Sequence, residues 1–174
     1  MKPELLESVL RRRVKSEIVE FLTIHPEYFD DAVDLALSNN QPYCWRAAWM
    51  IGDSIKKNDS RIKPHILKII ELLPSFEDGH QRELLKILLQ INLEEDFESL
   101  FFDLCVDLWE QVRKQPSVRH IAFKGMIKVA EKYPELSNEI LVLAQPNYIN
   151  ALSPGIKKSI TKSISNIKTE NLDL

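Results

Sequence analysis

One phrase of this sequence occurs twice, and its recurrence restricts the chain to a narrow set of folds. Tyr133-Pro134-Glu135-Leu136 leads into an apolar ladder of Ile140, Leu141, Leu143 and Ala144, and His25-Pro26-Glu27-Tyr28 leads into Ala32, Val33, Leu35 and Ala36 at the same offsets. Two looser copies lie between them, Ile62 with Ile66, Leu67, Ile69 and Ile70, and Phe97 with Phe101, Phe102, Leu104 and Cys105. The openings at Tyr28, Ile62, Phe97 and Leu136 stand 34, 35 and 39 residues apart. A unit of about 35 residues makes a helix pair that cannot bury its own apolar face, so copies must stack. The expectation is an all-α protein: an α–α superhelix of about four antiparallel helix pairs plus a C-terminal capping helix.

The punctuation between ladders places the helices. Residues 4–24 keep Leu6, Leu10, Val14, Ile18, Phe21 and Leu22 on one face, interrupted by Arg11, Arg12, Arg13 and Lys15 as a solvated edge with room for a bend. Pro26 ends that helix and serves as a first-turn residue of the next, with Glu27, Asp30 and Asp31 favourable near its positive end. Asn39-Asn40 suits a left-handed C-cap, and Asn58-Asp59-Ser60 suits a turn with an N-cap. The pairs then cover approximately 4–38, 42–73, 80–112 and 117–145, and 147–152 is a linker. A cap helix occupies 153–167, with a single stripe of Ile156, Ile160, Ile164 and Ile167. The whole reads as one domain over 1–170 with a tail at 171–174. Only four glycines argues against a strand-and-turn alternative.

Charge and cysteine usage exclude several partner classes. A net charge of −3 gives no electrostatic reason to expect nucleic acid. No uncharged run approaches the roughly 20 residues that span a bilayer, and charges among the first apolar residues argue against a secretory segment. Cys44 and Cys105 are too few and too far apart for a disulfide scaffold or a zinc site. The expectation is a reduced, cytoplasmic protein with no membrane association, no cofactor and no metal.

The 34-residue tetratricopeptide pattern does not recur in these units, whereas an apolar second-helix ladder with variable loops suits HEAT or armadillo units. Pro26-Glu27-Tyr28-Phe29, Trp45-Arg46-Ala47-Ala48-Trp49, Arg82-Glu83-Leu84-Leu85-Lys86-Ile87-Leu88, Leu104-Cys105 and Tyr133-Pro134-Glu135-Leu136 carry a closer resemblance, from about His25 to Ile164. They resemble a family of small bacterial HEAT-like proteins of the Bacteroidetes group. The resemblance implies the repeat fold and no activity. Some members of that family bear the label adenylosuccinate lyase, whose Ser- and Gly-rich catalytic loop has no counterpart here.

Trp45-Arg46-Ala47-Ala48-Trp49 with Asp53 is the most unusual stretch. Trp49 and Asp53 are four apart and share a helix face, so an indole beside a carboxylate could cradle a cation. DNA-alkylation-repeat glycosylases, also HEAT-like, use a Trp and an Asp at this spacing, although the flanking residues differ. The packing alternative has Trp45 or Trp49 filling the seam between the first two pairs beside Ala47 and Ala48, with Arg46 and Asp53 at the surface. Glu94, Glu95, Asp96 and Glu98 suit a helix start, and the four histidines show no metal-ligand spacing. Aligned ladders place Leu35, Ile69, Leu104 and Leu143 in one buried position. They also form an outward column of Asp34, Lys68, Asp103 and Val142, beside a second of Asp31, His65, Leu100 and Glu139. Mixed signs with apolar members suit a protein or peptide. The function expected is a non-catalytic protein- or peptide-binding module of unknown oligomeric state, with a nucleic-acid-binding relative of the glycosylases as the alternative.

Overall fold

The protein is described here by a computed structural model covering residues 2–12 and 14–170. Among these residues there are eleven α-helices and four short 3₁₀ segments, and no strand. The chain packs as two compact units, residues 1–93 and 94–174. The boundary falls between the two helices of the expected third pair. Stacking ties each helix only to its neighbours, so a period of 35 residues carries no mark of such a boundary.

In the first unit the segment 4–24 is two helices rather than one, α1 (Lys2–Leu10) and α2 (Lys15–Ile24), so the charged edge between them is a break. Pro26–Tyr28 makes a 3₁₀ turn into α3 (Phe29–Ala36). Then follow α4 (Tyr43–Ser54), a 3₁₀ segment at Ser60–His65 that accommodates Pro64, α5 (Ile66–Leu72) and α6 (Asp78–Leu89). Helix α4 is central, packing against α2, α3 and α6. It can do so because Cys44, Ala47, Ala48 and Ile51 repeat at i, i+3, i+4 and i+7 and are all buried. The expected left-handed C-cap at Asn39-Asn40 does not form. The one non-glycine residue with positive φ among those described is Asn58 (φ 61°). Asn58 donates its N–H to the Gln90 carbonyl at 2.9 Å and accepts from the Asn92 N–H at 2.6 Å, and Asp59 caps the next turn through the Arg61 N–H.

The second unit comprises α7 (Glu95–Glu110), α8 (Pro116–Ala130), a 3₁₀ turn at Pro134–Leu136, α9 (Ser137–Leu143), one helical turn α10 (Pro146–Ile149) in the expected linker, and α11 (Pro154–Glu170). Trp109 is fully buried and tilted against Phe123, and its indole N–H donates to the Leu143 carbonyl at 2.8 Å. Arg119 lies at the centre, 1% exposed, with its guanidinium 4.4 Å from the Trp109 ring centroid. It donates to the carbonyls of Trp109 and Tyr148 at 2.9 and 2.7 Å, both in the last turns of their helices, where the backbone carries partial negative charge. Helices α7 and α8 meet closely at Gly125, where an added Cβ would clash with Cys105 Sγ and come within 2.9 Å of the Phe101 ring.

The shared ladder position holds in three copies. Ile69, Leu104 and Leu143 are buried, but Leu35 is only half-buried. Helix α3 buries Phe29, Ala32, Val33 and Ala36, whereas α5 buries Ile66, Ile69 and Ile70. The inward stripe of α3 is therefore turned by about one residue, which moves Leu35 to its edge. Leu104→Ala should lower stability by about 2–5 kcal/mol in denaturant titration, the usual range for truncating a packed leucine. Gly125→Ala should cost about 1–3 kcal/mol, because the new methyl has no room between α7 and α8; an unchanged midpoint would show that the two helices separate freely.

Candidate functional site

The residues left over by the inward stripe of α4 form the candidate site. Trp45, Trp49 and Asp53 follow each other at four-residue steps on a different flank of the helix. Trp45 is 37% exposed and Trp49 is half-buried. Neither indole is fully buried, and of the two it is Trp49 that is partly covered. Small Ala47 and Ala48 make the close helix contacts themselves, and the indoles stand on the helix's other side. The tryptophan that fills a core is Trp109.

Two neighbouring elements border this flank. From the start of α2, Lys15 reaches Asp53 at 2.7 Å and lies 5.7 Å from the Trp49 ring centroid. The indole–carboxylate cradle expected for a cation does hold one, and it is the protein's own lysine. Arg46 donates to the Arg12 carbonyl at 3.1 Å, while its Nε is buried without a hydrogen-bond partner. From α6 come Arg82, Glu83 and Lys86. Glu83 is 3% exposed and accepts from Arg82 Nε at 2.9 Å and Lys86 Nζ at 2.8 Å. Burying that carboxylate is tolerable because two cations neutralise it.

These side chains line two clefts that meet at Trp45 and Arg82. One, of about 380 Å³, is bordered by Trp45, Arg46, Trp49, Arg82, Glu83 and Lys86. The other, of about 420 Å³, is bordered by Gln41, Trp45, Glu77, Gly79, His80 and Arg82. His80 is 2% exposed, and neither ring nitrogen makes a hydrogen bond among the described residues. Phe76 lies against the imidazole at 4.1 Å between centroids. Burial pushes the His80 pKa below its ordinary value, partly opposed by the nearby Ala36 carbonyl, which is placed to favour a protonated ring without meeting hydrogen-bond geometry, and by the charge of Glu83.

The other expected site residues lie elsewhere. Asp34 and Lys68 face outward as aligned and pair with each other at 3.0 Å on exposed surface, as His65 does with Asp30 at 2.9 Å. Asp103 belongs to the second unit. It borders a cleft of about 320 Å³ with Glu95, Glu135, Glu139, Phe102 and Leu136. Nearby, Glu98 accepts from Lys132 and Tyr133 at 2.7 and 2.8 Å, and these bonds hold its carboxyl below the usual range against the effect of burial. Both cysteines are buried, which raises their thiol pKa values. No described group of His, Cys, Asp and Glu side chains is placed to hold a metal. Sequence reading missed the roles of His80, Arg82, Glu83 and Lys86, whose one available signal was their place in a second helix of ordinary amphipathic pattern.

A buried imidazole without partners makes the fold pH-sensitive in a defined direction. Below pH about 6.5 the unfolded chain takes up a proton at His80 that the folded protein resists, so stability is full above that pH and falls beneath it. His120, also held down by burial, acts in the same sense. His80→Leu should raise stability by about 1 kcal/mol at pH 7.5, because it removes unsatisfied polar atoms. The same change should flatten the loss between pH 7.5 and 5.5, measured by denaturant midpoints.

A family model described as the HEAT repeat domain matches residues 1–167. Comparison with curated proteins and with solved structures gave no match. The recurring apolar ladders, the all-helical structure and a match over nearly the whole length lead to one conclusion: the chain belongs to the HEAT-repeat family.

Proposed function

We propose that this chain is a non-catalytic docking module whose binding surface is the Trp45–Trp49 flank of α4 together with Arg82 and Lys86 of α6. HEAT-repeat proteins are generally non-catalytic and commonly bind other proteins. The observation that carries the reading is the partial exposure of two tryptophans, one of them 37% exposed, in a unit whose core is filled by smaller side chains. Tryptophan and arginine are the side chains most often responsible for binding energy at protein interfaces. Around the cleft of about 380 Å³, Arg46, Arg82 and Lys86 outweigh the single carboxylate of Glu83. That balance favours an acidic peptide segment that lays an apolar residue on the indoles. Two of those three cations already serve Glu83, which leaves too little unpaired charge for a phosphate backbone. No described helix is long and apolar enough to cross a membrane.

Peptide display on the purified protein tests this. Acidic sequences carrying an apolar anchor should be enriched. The double variant Trp45→Ala/Trp49→Ala should lose at least about tenfold in affinity for an enriched peptide, as expected for removing interface anchors worth more than about 1.4 kcal/mol. Its melting temperature should fall by only a few degrees. Equal binding by the variant would place the docking surface elsewhere, and a collapsed fold would make the indoles structural. Salt-sensitive capture of a labelled DNA duplex in place of peptide would favour the nucleic-acid reading.

A further inference from the structure

We infer that the cleft between Trp45 and His80 is a subsite for one carboxylate side chain of the docked peptide, received by the His80 imidazole and the free edge of Arg82. This rests on the docking surface proposed above and specifies its chemistry. The cleft has room for such a side chain, about 420 Å³, and opens beside an indole that is more than a third exposed. At its wall, His80 is almost fully buried and both ring nitrogens lack a hydrogen-bond partner among the described residues, an arrangement that costs stability. A carboxylate supplies what the ring lacks, since an ionised acid accepts from a ring N–H and favours the doubly protonated imidazolium.

Arg82 is suited to the second contact. Its Nε and one terminal nitrogen are engaged by Glu83 Oε1 at 2.9 and 2.8 Å, so part of its five-donor fork remains for a second acid. The other wall residues do not provide the missing partner. Trp45 and Gln41 make no hydrogen bond to the ring, Phe76 lies tilted against it at 34°, and the Ala36 carbonyl from α3 lies outside bonding geometry. The charged groups facing the imidazole come from α6 and the residue before it. Glu83 is already neutralised by Arg82 and Lys86, and Glu77 stands at the rim of the cleft, where it limits how many acids can enter. The subsite therefore selects a single acid over a run of them. Binding takes up one proton at His80, so affinity tightens as pH falls toward 6, by up to about tenfold per pH unit.

The test uses the whole chain and two small probes, N-acetyl-glutamate methylamide and N-acetyl-glutamine methylamide, with the imidazole resonances of the four histidines followed by NMR. The glutamate probe should move the His80 signals at millimolar concentration and raise the apparent His80 pKa, while His25, His65 and His120 stay in place. The glutamine probe should do neither. Trp45→Ala should weaken the glutamate effect at least several-fold, and His80→Gln should abolish the pH dependence of peptide binding while leaving residual affinity on the indoles. If the glutamate probe leaves His80 unmoved, or the glutamine probe moves it equally, the carboxylate subsite is wrong. An intact effect of Trp45→Ala/Trp49→Ala on display-selected peptides would then leave the docking surface standing. If that effect fails as well, both readings fall.

Discussion

Hydrogen bonds between residues one repeat apart are the physical signature on which this fold depends. In the first unit Glu7 accepts from Asn40, the Arg12 carbonyl from Arg46, Asp34 from Lys68 and Asn58 from Asn92, at separations of 33 or 34 residues. In the second, Leu143 accepts from Trp109 and Glu98 from Lys132 at a separation of 34. Most of these bonds are exposed and contribute little singly. Stability comes from the apolar stripes, which are covered where neighbouring helices of each unit pack on one another. The polar bonds fix how far one copy slides or turns against its neighbour. Trp109 joins both roles, since its buried ring packs in the core while its N–H ties the ends of two helices.

How much of this could be read in advance follows from what periodicity contains. A ladder such as Ile66, Ile69 and Ile70 states which face must be covered, and the family, helix content and burial of Leu104 and Leu143 follow from it. A rotation of one helix by a single residue is invisible to such a pattern, and Leu35 lies at the edge of α3 for that reason. The tryptophans misled in a more instructive way. Alanines beside an indole look like space left for it, yet in α4 they are the contact surface, and the four-residue step from Trp45 to Trp49 marks a different flank. His80 had no legible signal, because an unpartnered imidazole is defined by residues of other helices that fail to reach it.

The candidate site is costly to fold, and that cost is concentrated. Within one flank the chain buries a carboxylate that needs two cations, leaves one guanidinium nitrogen unmet at Arg46 and leaves both nitrogens unmet at His80. Elsewhere buried polar groups such as Arg119 and Gln81 are provided for. Unmet polarity gathered on one surface among the described residues is what binding sites retain when folding stability and recognition make opposed demands.

The burial of Arg119 has a consequence for how the second unit can be assembled or cut. Its charge is compensated by backbone carbonyls at the ends of two helices, one belonging to α7 and the other to the single turn α10. Carbonyl dipoles act only once both ends have arrived, so Arg119 gains its second acceptor only when Tyr148 is in place. A boundary drawn at the end of α9, which looks natural because four ladders are then complete, would take away one of the two carbonyls that Arg119 uses. The short turn that resembles a linker is part of the lock, and any dissection of this unit has to keep it.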